Sequence, residues 1–191
     1  MRFQREALIA GVLWVVGTVS GWWASWLLGA SDEETGLSQI FGLATGDGSS
    51  IPATATLFWH IIKRNILVLG LLLSGLVTWG TATTAILLYN GFQLGWIVGI
   101  SQLLGIPLLT VGLVLLPHGP LELAGFIAGG AVGLRGWALG RRAQRSGCFK
   151  IDGDSASLIR GAAAGVCAVL VAAMVEATVT RAILLRLIGN G

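Results

Sequence analysis

The sequence predicts an all-α, polytopic membrane protein: a bundle of five to six hydrophobic transmembrane helices, one of them broken, in a single integral domain covering residues 1–191. The first observation is composition, because 54% of the residues are hydrophobic and 11% are charged, with a mean hydropathy of +0.82. Soluble domains carry charge on about a quarter of their residues. The second observation is that residues 65–121 contain no Asp, Glu, Lys or Arg, which leaves room for more than one spanning helix of roughly 20 residues. The expected partner is therefore the lipid bilayer, and the small net charge of +3 gives no reason to expect nucleic acid.

Three apolar runs define the first half of the predicted bundle. They are residues 7–28, 65–82 and 83–103, and a polar loop over 29–57 separates the first two. Tryptophans gather at the end of the first run, which places that end at the membrane–water interface. The mixed stretch FWHIIKRN before the second run predicts a helix start that lies in the interface. The first run is long and lacks a clear small-residue cleavage site, so we expect it to be retained.

The second half contains an interruption bounded by prolines. Segment 106–116 covers only about 16 Å at 1.5 Å per residue, about half of the ~30 Å hydrocarbon core. Pro117 ends this segment because proline lacks an N–H, and Pro120 opens the next helix, which we expect over 120–139. A basic loop over 140–157 and a last helix over 158–188 complete the predicted order.

The charges leave two orientations open. If the N-terminus is cytoplasmic and residues 105–139 cross once, the basic residues of the N-terminus and of loop 140–157 lie inside. If the N-terminus is outside and six full spans exist, Lys63 and Arg64 join the inner basic loop instead. Each scheme misplaces one basic pair. The shortness of segment 106–116 favours the first scheme.

Glycines recur at every fourth position on three of the predicted helices. Such small-residue faces let helix backbones approach closely in lipid, where no hydrophobic drive brings helices together. We therefore expect these glycines to pack helices within a compact bundle, with a homo-oligomer interface as a further use. The positions are Gly17 and Gly21, then Gly91, Gly95 and Gly99, then Gly125, Gly129 and Gly133.

Three ionisable residues fall at lipid depth: His118, Glu122 and Glu176. Even on the lower, insertion-based scale, a charged group at mid-membrane costs roughly 2.5–3.5 kcal/mol, so these groups should face protein or water. Glu122 lies in the first turn of the helix that Pro120 opens, where the helix dipole favours a carboxylate. Thr180 lies one turn beyond Glu176 on the same face. Two interpretations remain: a proton- or ion-linked site at a broken helix, or a hydrogen-bonded cluster that locks the bundle.

No pattern in the sequence predicts catalysis, a cofactor or a resident metal. A Gly-rich phosphate loop, a paired metal-ligand motif and a nucleophile elbow are all missing from it. One histidine with two distant glutamates is a weak metal pattern. Cys148 in the basic loop and Cys167 in an apolar helix are not expected to pair. We therefore do not expect an enzyme.

The stretch LLPHGPLELAGFIAGGAVGLRG resembles the signature of the stage II sporulation protein M family. HIIKRNILV, TATTAILLYNGFQLG and MVEATVT resemble further blocks of that family in the same order, so the resemblance covers about 58–181. It implies a polytopic membrane protein, and in spore formers the namesake resembles a membrane scaffold that gathers peptidoglycan-degrading partners. The family-motif positions that carry over are Asn65, Asn90, Gly91, Pro117, His118, Gly119, Glu122, Glu176 and Thr180.

Together these features favour a non-enzymatic subunit or scaffold of a membrane complex, placed as a multi-pass protein in the cell membrane. Its expected partners are membrane proteins or components of the cell envelope, and a second copy of the chain. The alternative is a small-solute or proton-linked transporter or channel that uses His118, Glu122 and Glu176. A cavity that reaches all three residues would favour transport, whereas a dry cluster with every polar atom satisfied would favour a scaffold.

Overall fold

The computed structural model describes residues 2–29, 54–146 and 155–189, and the regular structure within these ranges is helical. In chain order the helices are α1 (Arg2–Leu28), α2 (Thr54–Leu73), α3 (Thr81–Leu103), α4 (Leu108–Leu115), α5 (Gly119–Ser146), α6 (Ser155–Val175) and α7 (Arg181–Gly189). A 3-10 turn, Ser74–Leu76, extends α2, and a π-helical segment, Glu176–Thr180, joins α6 to α7.

Five helical stretches are long and apolar enough to cross a membrane, which confirms the predicted fold class. They are Phe3–Leu28, Thr54–Leu76, Thr81–Leu103, Gly119–Ser146 and Ser155–Ile183. Helix α4 is too short to cross, and a turn over residues 116–118 separates it from α5. The break predicted at Pro117–Pro120 is therefore present, and within residues 105–139 α5 is the helix that is long enough to cross.

Several helices extend beyond the bounds expected from hydrophobicity. Helix α1 begins at Arg2 rather than at 7, and α2 begins at Thr54 rather than at 65, inside the predicted loop 29–57. Helix α5 continues to Ser146, well into the predicted basic loop 140–157. Hydrophobicity marks the thickness of the hydrocarbon core, whereas Arg, Gln and Ala continue a helix into water at little cost. The rest of the loop 29–57, from 30 to 53, lies outside the described residues.

Helices α1 and α3 pack backbone to backbone through glycine. A side chain at Gly91 would collide with the carbonyl oxygen of Trp14, and one at Gly95 would collide with that of Thr18. Contacts further along both helices involve Gly17, Gly21 and Gly99. Residue numbers rise together along the two helices, so they run parallel, as close-packed small-residue faces allow.

Helix α5 is the central helix of the bundle. Gly129 and Gly133 lie against Leu69 and Leu72 of α2, and Gly125 lies against Val169 of α6. Side chains from α5 and from four helices around it form the buried core: Ala10, Leu72, Leu87, Phe126, Leu134 and Val169. The predicted packing glycines thus lie at helix–helix contacts within one bundle.

These contacts fix which ends of the helices lie together. Helices α2 and α5 run parallel, and α6 runs antiparallel to α5 because Gly125 faces Val169 while Gly161 faces Val132. We call the end where α1 and α6 begin and α5 stops the basic end. It carries Arg5, Arg141, Arg142, Arg145 and Arg160. The other end, where α2 and α5 begin and the π segment lies, is here the cluster end.

Candidate functional site

The chain passes from α4 to α5 through the backbone of His118. Its carbonyl oxygen accepts hydrogen bonds from the backbone N–H groups of Leu121 at 3.1 Å and Glu122 at 3.0 Å. His118 therefore lies immediately before the helix, and Glu122 lies in the first turn of α5. Pro120 fits the start of α5 because the first N–H groups of a helix have no partner inside it. The positive end of the helix dipole points at Glu122.

The π-helical segment Glu176–Thr180 presents two polar side chains to the break. The backbone N–H of Arg181 donates to the carbonyl oxygen of Glu176, five residues earlier, which widens the turn. Single π turns inside α-helices are rare and frequent at functional sites. Nothing in the sequence marked this segment, because π geometry has no residue pattern comparable to proline at a break.

Four predicted site residues meet at this point. His118 Nδ1 lies 3.1 Å from the hydroxyl oxygen of Thr180, and His118 Nε2 lies 3.9 Å from Glu176 Oε2. One nitrogen of His118 and one carboxylate oxygen each of Glu122 and Glu176 lie within 4.8 Å of one another. His118 is 6% exposed, whereas the side chain of Glu176 is 30% exposed. We call His118, Glu122, Glu176 and Thr180 the polar cluster.

Helix α2 adds a cation and an amide beside the polar cluster. Asn65 is 4% exposed and its side chain is within hydrogen-bonding reach of Glu122. Arg64 is close enough for its charge to act on Glu122 and on Glu176. The Arg64 guanidinium is exposed and donates a 3.4 Å hydrogen bond to Gln93 Oε1. The sequence did not predict Arg64 as a site residue, although its position directly before the motif residue Asn65 was a usable indication.

The polar cluster lies within the apolar stretches rather than at their ends. Arg64 and Asn65 lie near the middle of Thr54–Leu76, and Gln93, which accepts the hydrogen bond from Arg64, lies near the middle of Thr81–Leu103. Glu176 lies inside the apolar stretch Ser155–Ile183. The neighbours of Glu122 therefore place the cluster well inside the apolar length of the bundle.

The other family-motif positions have structural surroundings. The Asn90 side chain donates to the carbonyl oxygen of Ile86 on its own helix at 2.9 Å, and Gly91 contacts α1. Neither belongs to the polar cluster. Pro117 is half-buried in the turn, and a side chain at Gly119 would meet nothing within 4 Å.

A separate apolar groove of about 520 Å³ lies on the lipid-facing side of α1 and α5. Its walls are aliphatic and aromatic, and none of the lining residues is ionisable. They include Leu8, Val12, Trp14, Leu123 and Ile127. The groove contains none of the members of the polar cluster.

Comparison with known proteins identifies the family. The sequence profile described as Stage II sporulation protein M matches residues 10–181, a range that includes the whole polar cluster. The chain is also 32% identical over 85 residues to the uncharacterized protein MJ0793 of Methanocaldococcus jannaschii, covering 44% of this chain and 48% of that relative. The match thus spans about half the length of the curated relative. No solved structure matches. The family match and five apolar helices together show that this chain is a multi-pass membrane protein of the stage II sporulation protein M family.

Proposed function

We propose that this chain is a small-cation transporter or channel of the cell membrane, in which the polar cluster is the step that cations must pass. The convergence of His118, Glu122 and Glu176 within 4.8 Å carries the proposal. Ionisable groups inside a membrane bundle mark substrate and ion pathways, because their placement is otherwise costly. Broken helices whose N-termini face such groups are a common way to build transport sites.

The state of the polar groups supports cation handling over a purely structural cluster. A cluster that only locks helices together should have each polar atom paired. Here His118 Nε2 makes no hydrogen bond within the part of the chain that the structure describes, since its nearest acidic oxygen is 3.9 Å away. The partial exposure of Glu176 leaves the group open to exchange with an ion.

Charge distribution supports an orientation for the pathway. The basic end carries the arginines at the end of α5 and those near the starts of α1 and α6, and cytoplasmic ends are usually the more basic. With the basic end in the cytoplasm, the starts of α2 and α5 face the exterior. This is the first of the two schemes that the sequence left open.

Reconstitution into liposomes tests the proposal. The purified chain should pass small cations, protons included, down an imposed gradient, followed with ion-sensitive dyes trapped inside. Glu122→Gln and Glu176→Gln should each lower the flux strongly, because each removes one negative charge from the pathway. Glu6→Gln removes the same charge on α1 near the basic end and is the control. One oxygen of Glu6 is buried without a hydrogen-bond partner among the described residues, so the thermal stability of this variant is measured beside its flux. Unchanged flux in both cluster variants, together with lowered thermal stability, would show that the cluster is structural.

A second candidate function is a non-enzymatic subunit or scaffold of a membrane complex. The apolar groove on α1 and α5 favours it, because a cleft of this kind on a lipid-facing surface accepts a helix of a second copy or of another membrane protein. Disulfide cross-linking tests it with Val12→Cys in the groove and Val77→Cys, an exposed residue away from it, as the control. Equal cross-linking at the two positions would remove the support that the groove gives.

A further inference from the structure

We propose that His118, Glu122 and Glu176 bind one first-row divalent transition-metal ion, of the Zn²⁺, Mn²⁺ or Co²⁺ type. The inference rests on the proposed function, whose cation it names. The sequence by itself gave only a weak metal pattern, because the third ligand lies far from the first two along the chain. The structure brings the three donors together.

The donor geometry is close to that of a loaded site. Nitrogen and carboxylate ligands lie about 2.0–2.2 Å from Zn²⁺, so two ligands of a tetrahedral ion are about 3.3–3.6 Å apart. The distance from His118 Nε2 to Glu176 Oε2 is 3.9 Å, slightly more than this. The widest separation among the three donors is at most 4.8 Å. A shift of less than about 1 Å in each side chain therefore brings all three to bonding distance.

His118 supplies an observation that is independent of the acidic residues. Its side chain is 92% buried, since 8% is exposed, and its Nε2 lies 3.9 Å from Glu176 Oε2 without a hydrogen bond of its own among the described residues. The other ring nitrogen, Nδ1, lies 3.1 Å from the Thr180 hydroxyl. When Nδ1–H donates to that hydroxyl, the lone pair of Nε2 is free to bind a metal. Metal-binding histidines are usually held in this way by a hydrogen bond at the second nitrogen.

The chemistry of the donors selects the class of ion. Two carboxylates carry a charge that matches a divalent cation, and imidazole nitrogen favours Zn²⁺ and its transition-metal neighbours over Mg²⁺ and Ca²⁺. Three protein ligands leave a coordination position for water or for exchange, as in open rather than structural zinc sites. Such a site suits an ion that must also leave.

Titration of the full-length chain in detergent with Co²⁺ alone tests the inference. The cysteines are first removed as Cys148→Ser and Cys167→Ala, so that thiolate binding cannot contribute. One Co²⁺ per chain should bind, with visible absorption bands from a nitrogen and oxygen ligand set. Zn²⁺ should displace it.

Histidine variants provide the matched comparison, because the chain contains two histidines and His60 is exposed outside the cluster. His118→Ala and Glu176→Gln should abolish the stoichiometric site, whereas His60→Ala should leave it intact. Thr180→Val should weaken binding by about 10- to 100-fold, the usual effect of losing the outer partner of a ligating histidine. Thr180→Ser, which restores the hydroxyl, should recover the affinity. Size-exclusion profiles identify any variant that fails to fold. If His118→Ala or Glu176→Gln fails to fold, the comparison of Thr180→Val with Thr180→Ser tests the metal site instead.

The failures of the two proposals are distinguishable. If Co²⁺ does not bind, or if His118→Ala leaves its binding unchanged, the proposed metal site is wrong. A proton flux that depends on the carboxylates could still be observed in that case, and it would leave the proposed transport function standing. Stoichiometric binding without flux of any cation keeps the metal site and overturns transport.

Discussion

Replacing Gly133 with alanine should separate the packing of the bundle from the intrinsic helix preference of its sequence. Gly133 lies where α5 crosses α2 and α3. An added Cβ there would collide with the carbonyl oxygen of Leu72 and the hydroxyl of Thr83. These two atoms are the ends of a buried 2.6 Å hydrogen bond. The matched control is Gly70→Ala on α2, where an added Cβ meets nothing within 4 Å.

The expected magnitude combines three effects. Overpacking a dense interior costs about 1–3 kcal/mol, and the upper half applies here because backbone atoms cannot rotate away. Weakening the Thr83 hydrogen bond costs about 1 kcal/mol. Alanine is more favourable than glycine in a helix by about 1 kcal/mol, which offsets part of the loss in the free energy of unfolding. Gly133→Ala should therefore lower the free energy of unfolding by about 2 kcal/mol, while Gly70→Ala should raise it by up to about 1 kcal/mol.

Thermal unfolding of both variants in the same detergent measures the difference. At about 2–4 °C per kcal/mol for a chain of this size, the two midpoints should differ by about 6–12 °C. Equal midpoints would mean that α5 and α2 are not in backbone contact, and the packing assigned to the small-residue face would be wrong.

Three further predictions address single contacts, topology and the cluster. Thr83→Val removes the buried hydroxyl that donates to the Leu72 carbonyl oxygen and should lower the free energy of unfolding by about 1–2 kcal/mol. Thr81→Val, at an exposed position, should change it by less than about 0.5 kcal/mol, with chemical unfolding as the measurement for both. In whole cells, a membrane-impermeant maleimide should label Ser31→Cys from outside and Cys148 only after permeabilisation. The reason is that the proposed orientation puts the first loop outside and the basic end inside. Labelling of both cysteines from the same side would exclude the five-span scheme. Arg64→Gln should tighten Co²⁺ binding up to about fivefold, because a competing cation worth up to ~1 kcal/mol is removed. Lys63→Gln, a change at the exposed neighbouring residue, should leave Co²⁺ affinity unchanged. Equal effects of the two substitutions would mean that Arg64 acts only through the general surface charge.

The fold was predictable where one physical requirement dominates the sequence. Lipid demands long apolar helices, so the spans were visible as uncharged runs, and the break was visible because two prolines flank Gly119. Helix ends were less predictable. Arg2 and residues 140–146 continue helices through backbone hydrogen bonds that hydrophobicity does not report.

The candidate site was predictable only in part for a related reason. His118 and Glu122 are close along the chain, so the break itself placed them together, and Glu176 was nominated by the cost of its charge in lipid. Their mutual distances depend on how α5 crosses α6, which the sequence does not state. Arg64 was missed because a cation beside an interfacial stretch has an ordinary explanation at the membrane surface.

The glycine faces and the polar cluster, which the sequence presents as separate features, act together in the fold. Gly129 sits against Leu69, one turn from Asn65, and Gly125 sits against Val169, two turns from Glu176. These close crossings fix α2 and α6 against α5, the helix that carries Glu122. A carboxylate held by three helices that cannot slide past one another keeps its neighbours within a few ångströms. A larger residue at Gly125 or Gly129 would therefore move Glu176 or Asn65 away from Glu122 before it unfolded the bundle, so loss of Co²⁺ binding should be the more sensitive readout of packing at these positions.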